Sequence, residues 1–550
     1  MNKFISGTYK ADSKGKDGDI KVSVTFSSNK IENIHIDSEQ ETAGISDIAL
    51  RKTPKDILDN QSLGVDAIAG ASITSNAILD AVKDCAKQAG ANVEALQSVP
   101  VVKHGKERNI STDLVIVGAG VAGISAALQA VEDGISNIIL IDHSSALGGE
   151  AYYSGGIIQA TGANAQKERG LTNDTPKDLA KYWNDMADNK VNTDLVNEVA
   201  EKSGDSVNWI EKMGVKFADN LTKQGEATVA RALTSAGEVG GRGLMQPMID
   251  QLKTTNVKTL LETHVVDVLQ DDDHAAQGVK AVDLNTDDEY IISAKAVIFA
   301  NNNDQGMDLV QKTNADFRVH DVGYSGTIFG NDGLYLNQKG ERFTNESGFY
   351  ERVFKDLRDT NAGNFSAYMI VDSGNLQNNQ KVYHQADGSG QTWKTLVENS
   401  KDPDFRYSGL DAGETFEGNT LEEALKAAKI PVAEATKAIQ RYNELCNKGV
   451  DEDFDKSPEN LQAIGNQAPF YVWRVPLYSV TAPDKVGTPK VNIDCQMLHN
   501  GKPMKGFYAT GTLLRNEFKY EVYAGSGTYI QMCLSTGRIA ADSVAKNLQL

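Results

Sequence analysis

The sequence predicts an α/β protein, in which a domain with a parallel sheet carries an inserted α+β domain and follows a small α+β domain. A short, β-branched apolar run at 113–117 ends in glycine and precedes a helical pattern, as at the start of a parallel sheet. Before it, residues 20–26 and 30–37 alternate as strands. A late strand at 506–511 and a helix over about 528–548 indicate that the parallel-sheet domain is completed near the chain end.

These patterns divide the chain into five segments. Residues 1–92 form the small N-terminal domain, with a helix over 75–89, and residues 93–111 form a linker. Residues 112–310 form the first part of the parallel-sheet domain, and residues 466–550 form its closing part. Helical patterns fill 160–225, where Trp183 and Trp209 are predicted packing anchors. The acidic, less regular segment 311–465, with helices at 421–429 and 432–447, is predicted to be an inserted capping domain.

The composition excludes several kinds of partner. The chain has 550 residues and a formal net charge of -20, which argues against nucleic acid and against a basic membrane-docking face. Its four cysteines are scattered and form no CxxC pattern, so no metal or haem site is predicted. No apolar run approaches about 18 residues, and the first residues lack the apolar core of a signal peptide. We therefore expect a cytoplasmic protein without membrane insertion, exported only if a signal peptide had been removed.

A glycine-rich hexapeptide, Gly-Ala-Gly-Val-Ala-Gly at 118–123, lies between the first strand of the parallel sheet and its helix. The first glycine permits a tight turn, the second lets a pyrophosphate approach the backbone, and the third allows close helix–strand packing. The helix N-terminus favours phosphate charge, and an acid after the next strand suits ribose hydroxyls. The spacing predicts a Rossmann-like dinucleotide site formed by Gly118, Gly120, Val121, Ala122, Gly123 and Asp142.

The segment that follows points to FAD. Residues 144–156 read SSALGGEAYYSGG and resemble the flavoprotein family that contains fumarate reductase subunits, urocanate reductases and 3-ketosteroid dehydrogenases. Residues 507–511 and 535–541 resemble the closing strand and last helix of the same family. One departure is 300–304, where relatives have an ATGG turn. The resemblance implies non-covalent FAD held also by Gly148, Gly149, Ser154, Gly155, Gly156, Val265, Ala300 and Gly511.

A second flavin motif lies in the N-terminal domain. Residues 66–75 resemble the flavinylation motif of FMN-binding domains, in which a flavin transferase joins FMN phosphate to a Thr or Ser after Gly-Ala. The resemblance implies covalent FMN at Ser72, in a motif led by Asp66 that includes Gly70, Ala71 and Thr74. A helix start capped by Ser72, Thr74 or Ser75 would also suit a phosphate. The alternative is an ordinary capped helix.

Two flavins imply that electrons enter at FMN and leave at FAD. No second GxGxxG is present, so the sequence predicts no dedicated NADH domain. The expected donor is external: an NADH-dependent reductase, reduced flavin or NADH itself.

The substrate site departs from the fumarate reductases, whose arginines and histidines bind carboxylates. Residues 322–326 and 478–483 lack the expected histidines, and 521–527 lacks the expected arginine. The segments 345–350 and 523–527 resemble 3-ketosteroid dehydrogenases instead, except for Ala524. That resemblance implies that Tyr523 and the Gly527 N–H bind a carbonyl, and that Tyr350, assisted or replaced by Arg352, transfers a proton. Further candidates for substrate binding are Arg515, Lys519 and Tyr520.

Together these residues predict an ene-reductase that saturates the C=C of an α,β-unsaturated carbonyl compound, such as an enone, a steroid-like enone or an aryl acrylate. Neutral donors aimed at the carbonyl oxygen would stabilise the charge that develops there. The alternatives are a fumarate- or urocanate-type reductase, a 3-ketosteroid-type dehydrogenase, and a non-enzymatic electron carrier.

Overall fold

The N-terminal domain packs helices on a three-stranded antiparallel sheet. A computed structural model describes residues 4–41, 46–68, 71–102, 105–236, 240–301, 304–319, 333–348, 350–360, 366–374, 406–407, 410–411, 414–465, 467–475, 487–520 and 522–549. The sheet order is β1-β2-β3. Alternate side chains of the central strand are buried against the second helix because successive strand residues face opposite sides. The elements are β1 (Gly7–Lys14), β2 (Asp19–Phe26), β3 (Ile31–Ser38), α1 (Asp47–Asn60), α2 (Ser72–Gln88) and α3 (Val93–Gln97).

Part of the predicted linker is structured. The helix α3 lies within 93–111, and its Leu96 is buried in the N-terminal core. Ser62 Oγ donates to Val99 O at 2.7 Å, which ties the following turn to the same domain. The next strand begins at Glu107, so the connection between domains is shorter than the sequence predicts.

The second domain is built on an eight-stranded sheet. The first part of the chain contributes β4 (Glu107–Val117), α4 (Val121–Glu132), β5 (Ile138–Ile141), β6 (Ile157–Gln159), α5 (Asn164–Glu168), α6 (Pro176–Met186), α7 (Thr193–Lys212), β7 (Ala232–Thr234), α8 (Gly240–Lys253), β8 (Lys258–Leu260), β9 (Thr263–Gln270), β10 (Ala276–Asp283), β11 (Glu289–Phe299) and α9 (Asp304–Gln311). Parallel pairing joins β11, β4, β5 and β8 in that order. Trp183 and Trp209 are buried in its core, as predicted.

The inserted domain has its own sheet and core. Its elements are β12 (Phe317–Arg318), β13 (Leu334–Leu336), α10 (Tyr350–Asp359), β14 (Ala367–Asp372), β15 (Arg406–Tyr407), β16 (Leu410–Asp411), β17 (Glu414–Gly418), α11 (Leu421–Ala427), α12 (Val432–Lys448) and β18 (Phe470–Val475). The sheet order is β13-β14-β18-β17. Because β18 pairs with β14, the inserted sheet extends past residue 465, where the sequence predicts that the insertion ends.

The chain then returns to the first sheet. The closing elements are β19 (Thr488–Pro489), β20 (Gln496–His499), β21 (Lys502–Ala509), α13 (Arg515–Phe518) and α14 (Thr528–Leu548). The strand β21 pairs in parallel with β11, and α14 packs on α4 within the main core. This return places the end of the chain beside the glycine-rich loop. Within the described ranges, no helix is long and apolar enough to cross a membrane.

Candidate functional site

The glycine-rich loop 118–123 forms a tight turn between β4 and α4. Gly118 has φ +108°, and a Cβ there would lie 2.7 Å from Asn301 N. A Cβ on Gly123 would lie 1.7 Å from Gly118 O, so only glycine lets α4 approach the turn this closely. At Gly120, by contrast, a Cβ would meet no atom of the described residues within 4 Å. The backbone is therefore open where a pyrophosphate would approach.

Asp142 lies at the carboxyl end of β5, next to this loop. Its two carboxylate oxygens accept from Ala119 N at 2.6 Å and from Ser144 N at 2.8 Å. It lines a cleft of about 270 Å³ together with Gly118 and Val265. A carboxylate at this place can accept hydrogen bonds from ribose hydroxyls, so the residues present fit the adenosine end of FAD.

The glycine pair at 148–149 lies against the same loop. Gly148 N donates to Ala119 O at 2.9 Å. A Cβ on Gly149 would lie 3.2 Å from Gly120 Cα. The two segments therefore form one backbone surface around the open glycine.

Two more predicted contacts lie on the other sides of the loop. Ala300 N donates to Val117 O at 2.8 Å, so the first residue of the segment that departs from the ATGG turn lies beside Gly118. Gly511 has φ +67°, and a Cβ there would lie 2.8 Å from Ala122 Cβ in the first turn of α4, which Val121 begins. Glycine is thus required where the closing strand meets the helix N-terminus.

The segment 154–156 leads from this loop to the strand β6. Gly156 has φ +65°, and a Cβ on this residue would lie 2.3 Å from Gly240 O. The preceding residue, Gly155, is exposed. Gly156 N donates to Ser154 Oγ at 3.1 Å. The turn is therefore fixed by its own hydroxyl and by the start of α8.

Several residues of the cleft were missed by the sequence reasoning: His143, Thr263, His264, Asn301 and Leu309. Thr263 begins the strand β9, and its backbone N–H donates to the backbone oxygen of Asp142 at 2.9 Å. Its position at the start of a strand was the sequence signal that could have identified it. Burial lowers the pKa of His264 to about 4, with smaller contributions from His143 and Lys312. The imidazole is therefore neutral near pH 7.

The proposed FMN motif lies at the start of α2, and its capping differs from the expectation. The N-cap is Ala71, without a side-chain cap, so none of the three predicted residues caps the helix. Thr74 Oγ1 donates to Glu41 Oε2 instead. Ser75 Oγ donates to Ala71 O at 2.9 Å and accepts from Ile68 N at 3.0 Å. The hydroxyls of Thr74 and Ser75 therefore bind other groups, and the N-cap residue provides no side-chain acceptor for the first N–H groups of α2.

Ser72 is the first residue of this helix, and its side chain is exposed. Asp66 is also exposed, on the loop that leads to the helix, whereas Gly70 lies outside the described residues. An exposed hydroxyl at a helix start without a side-chain cap fits a phosphate diester, because the helix N-terminus favours negative charge.

The predicted carbonyl-binding loop, 523–527, lies against the segment that follows Gly156. Gly527 has φ +92° and is the N-cap of α14. A Cβ on Gly527 would lie 2.9 Å from Gln159 N in β6. The Tyr523 ring packs on that of Tyr529 at 4.8 Å between centroids, and Lys519 Nζ lies 6.0 Å from the Tyr523 ring.

The remaining substrate candidates are Arg352, Tyr520, Arg515 and Tyr350. Arg352 Nε lies 3.4 Å from Glu226 Oε1, so its guanidinium is paired with the main domain. Tyr520 packs on Lys190, whose Nζ lies 4.2 Å from the ring centroid. Arg515 is half-buried at the start of α13. Tyr350 begins α10, but its side chain, like residues 320–332 and 476–486, lies outside the described part.

Two family models match the parts of the chain that contain the candidate sites. Residues 113–333 match the model of the FAD binding domain, and residues 15–87 match the model of the FMN-binding domain. The chain therefore combines two flavin-binding domains. The glycine-rich loop and Asp142 lie in the first match, and Ser72 lies in the second, so the predicted recognition of both domains is confirmed.

Two curated relatives cover most of this flavoprotein. An NADH:acrylate oxidoreductase of Vibrio harveyi is 24% identical, across 99% of this chain and 61% of the relative. This flavoprotein therefore spans less than two thirds of that relative's length. A urocanate reductase of Eggerthella lenta is 26% identical, across 90% of this chain and 86% of the relative.

A solved structure confirms the fold class. The 3-ketosteroid-Δ4-(5α)-dehydrogenase from Rhodococcus jostii, in complex with 4-androstene-3,17-dione, superposes with a TM-score of 0.64. The identity is 19%, and the match covers 79% of this flavoprotein and 97% of the dehydrogenase. The predicted Rossmann-like FAD-binding domain with an inserted capping domain is therefore correct.

Proposed function

We propose that this flavoprotein is a reductase of carbon–carbon double bonds conjugated to a carbonyl group, in an enone, a steroid-like enone or an aryl acrylate. The observation that carries the proposal is the contact between Gly527 and β6, which brings the loop 523–527 beside the segment predicted to hold FAD. The names of the acrylate and urocanate relatives support the same class, since both compounds contain such a double bond.

The loop would bind the carbonyl oxygen. Gly527 is the N-cap of the 21-residue helix α14, so its N–H lies where the helix dipole favours negative charge. Within the described residues, this N–H has no backbone acceptor. Together with the Tyr523 hydroxyl, it would stabilise the negative charge that develops on the oxygen during reduction.

The helix α10 would supply the proton. Tyr350 is its first residue and Arg352 follows within the same turn. Glu226 pairs with the Arg352 guanidinium, so Arg352 is held by the main domain, and Tyr350 would be the proton donor. Arg515, Lys519 and Tyr520 would contact the rest of the substrate.

FAD would be held non-covalently by the glycine surface around Gly120 and by Asp142. When bound, FMN and FAD supply electron transfer and a hydride. FMN would be attached covalently to Ser72 by a flavin transferase, with its phosphate at the start of α2. An external donor, either an NADH-dependent reductase, reduced flavin or NADH itself, would deliver electrons.

A urocanate-type reductase is the second candidate, because the urocanate reductase matches over most of both chains. Its substrate carries an imidazole ring and a carboxylate; an aryl acrylate shares the carboxylate, whereas an enone has none. Lys519 and Arg515 are the cations near the loop that would then pair with the carboxylate.

Reoxidation of the reduced holoprotein separates the candidates. The protein is reduced anaerobically with dithionite, and the flavin absorbance is followed after addition of fumarate, urocanate, cinnamate or 4-androstene-3,17-dione. The proposal expects rapid reoxidation by cinnamate or the steroid enone. Reoxidation by urocanate alone would favour the second candidate, and reoxidation by fumarate alone would refute the first.

A further inference from the structure

A buried amide holds the carbonyl-binding loop. The Gln159 side chain is fully buried, and its Nε2 lies 2.9 Å from Ala524 O, 3.3 Å from Gly525 O and 3.1 Å from Ser526 O. Trp183 Nε1 lies 3.4 Å from Gln159 Oε1. Because an indole N–H only donates, this contact orients the amide with its NH2 group toward the loop.

The same contacts set the direction of the loop N–H groups. Ser526 C=O and Gly527 N–H belong to one planar trans peptide, so they point in opposite directions. Fixing the Ser526 oxygen therefore fixes the line along which the Gly527 N–H points. Gln159 N also donates to Gly527 O at 3.3 Å, which holds the peptide on the other side of this glycine.

The half-buried Tyr182 phenol holds the other end of the loop. Tyr182 OH lies 2.9 Å from Ala524 O and 3.0 Å from Gln224 O, and it accepts from Glu226 N at 3.1 Å. Burial raises the pKa of this phenol well above its usual range, so it remains a donor. The turn at 224–226 packs closely against the loop, because a Cβ on Gly225 would lie 2.6 Å from Tyr182 OH and 3.0 Å from Ala524 O.

This turn also connects the loop to the inserted domain. Glu226, whose backbone N–H donates to Tyr182, carries the carboxylate that pairs with Arg352 of α10. The loop 523–527 and the helix that begins with Tyr350 are therefore fixed to each other through a single turn. Neither Gln159 nor Tyr182 reaches the substrate side of the loop through these contacts, because both bind its carbonyl oxygens.

We propose that Gln159 and Tyr182 are positioning residues for the reaction, which hold the loop carbonyls so that the Gly527 N–H points at the substrate oxygen. The proposal rests on the proposed function of the loop. Polar groups at reacting centres lose much of their effect when they are displaced by about 1 Å. Loss of either residue should therefore lower kcat more than it changes KM.

Matched pairs of variants test this proposal. Gln159→Leu is compared with Gln166→Leu, since Gln166 is equally buried but donates to Ala160 O and Arg231 O instead. Tyr182→Phe is compared with Tyr508→Phe, whose hydroxyl contacts Asn547 far from the loop. The isosteric Tyr182→Phe keeps the test decisive if Gln159→Leu does not fold.

Two measurements are made on the holoproteins. With cinnamate or 4-androstene-3,17-dione, whichever the wild type reduces, Gln159→Leu and Tyr182→Phe should lower kcat by about 10- to 100-fold at unchanged FAD content, with KM within about threefold of wild type. Trypsin cleavage after Lys519, just before the loop, should become faster. Both control variants should resemble the wild type in both measurements.

The outcomes distinguish this proposal from the proposed function. If the wild type reduces a conjugated acceptor and the two variants match their controls in kcat, the positioning role is overturned. A rise in KM at constant kcat would also overturn it, because that pattern reports lost ground-state binding. If the wild type reduces no conjugated acceptor, the proposed function fails, and the cleavage rates at Lys519 still report whether the two side chains hold the loop.

Discussion

Arg51 Nη2 lies 2.8 Å from Glu262 Oε1, and this ion pair joins the FMN-binding domain to the FAD-binding domain. Lys52 adds a second contact, with its Nζ 3.2 Å from Asp287 Oδ1. A small apolar cluster of buried residues also joins the two domains: Ile48, Ala49, Ile68, Ala71 and Leu284. Because Ala71 directly precedes Ser72, the interface brings the proposed FMN attachment point to the FAD-binding domain.

The interface should depend on its apolar cluster more than on its ion pairs. Arg51 is 55% exposed, so Arg51→Ala should weaken docking of the domains by only about 0.5 kcal/mol. Leu284→Asp would place an unpaired carboxylate in the cluster and should cost about 2–3 kcal/mol. Thermal unfolding should then show two separated transitions, and the rate of electron transfer between the flavins should fall in stopped-flow absorbance.

Lys55→Ala provides the control, because Lys55 lies on the same helix and pairs with Asp59 at 2.7 Å. An unchanged rate of electron transfer in Leu284→Asp would mean that this contact is not the arrangement in which electrons pass between the domains.

Attachment of FMN should depend on one hydroxyl. Ser72→Ala, produced together with a flavin transferase, should lose the whole mass increment of one FMN in intact-mass spectrometry. Ser72→Thr should keep it, because threonine offers the same hydroxyl at the start of α2. Ser28→Ala removes another exposed hydroxyl of the domain and should also keep the adduct. Retention of the adduct in Ser72→Ala would refute the assignment.

Affinity for FAD should depend on the charge of Asp142. The carboxylate accepts hydrogen bonds from two backbone N–H groups and would also accept them from the ribose hydroxyls. Asp142→Asn should raise the Kd for FAD about 10- to 100-fold, since hydrogen bonds to charged groups contribute about 1.5–3 kcal/mol. Titration of the flavin-free protein measures it. Asp113→Asn, which removes an ion pair with Lys295 in the same domain, should leave the Kd near that of the wild type.

The dinucleotide loop could be predicted from the sequence because its requirements are local. Gly118, Gly120 and Gly123 have roles that depend on a turn and on the helix that follows it, all within six residues. The cap of α2, by contrast, could not be predicted from local spacing. Ser75 suited a cap by residue type, but its hydroxyl accepts from Ile68 N, and local spacing does not reveal this competing donor.

The residues that hold the substrate loop could not be predicted, because their contacts are distant in sequence. Gln159 and Ala524 are separated by 365 positions, and Tyr182 and Ala524 by 342. A lone buried glutamine or tyrosine carries no local pattern that distinguishes it from an ordinary core residue. Only the return of the chain to the first sheet brings them together.

Acid should destabilise the protein partly through His264. Its folded pKa of about 4 lies below the ordinary value of 6.5, so the unfolded chain binds the proton more readily. This contribution is fully present above pH 6.5 and is lost as the pH falls toward 4. At pH 5 the loss should be about 2 kcal/mol. Urea unfolding at pH 7 and pH 5 measures it, and His264→Asn should show a correspondingly smaller difference. If both proteins lose the same free energy of unfolding between pH 7 and pH 5, other groups account for the acid sensitivity.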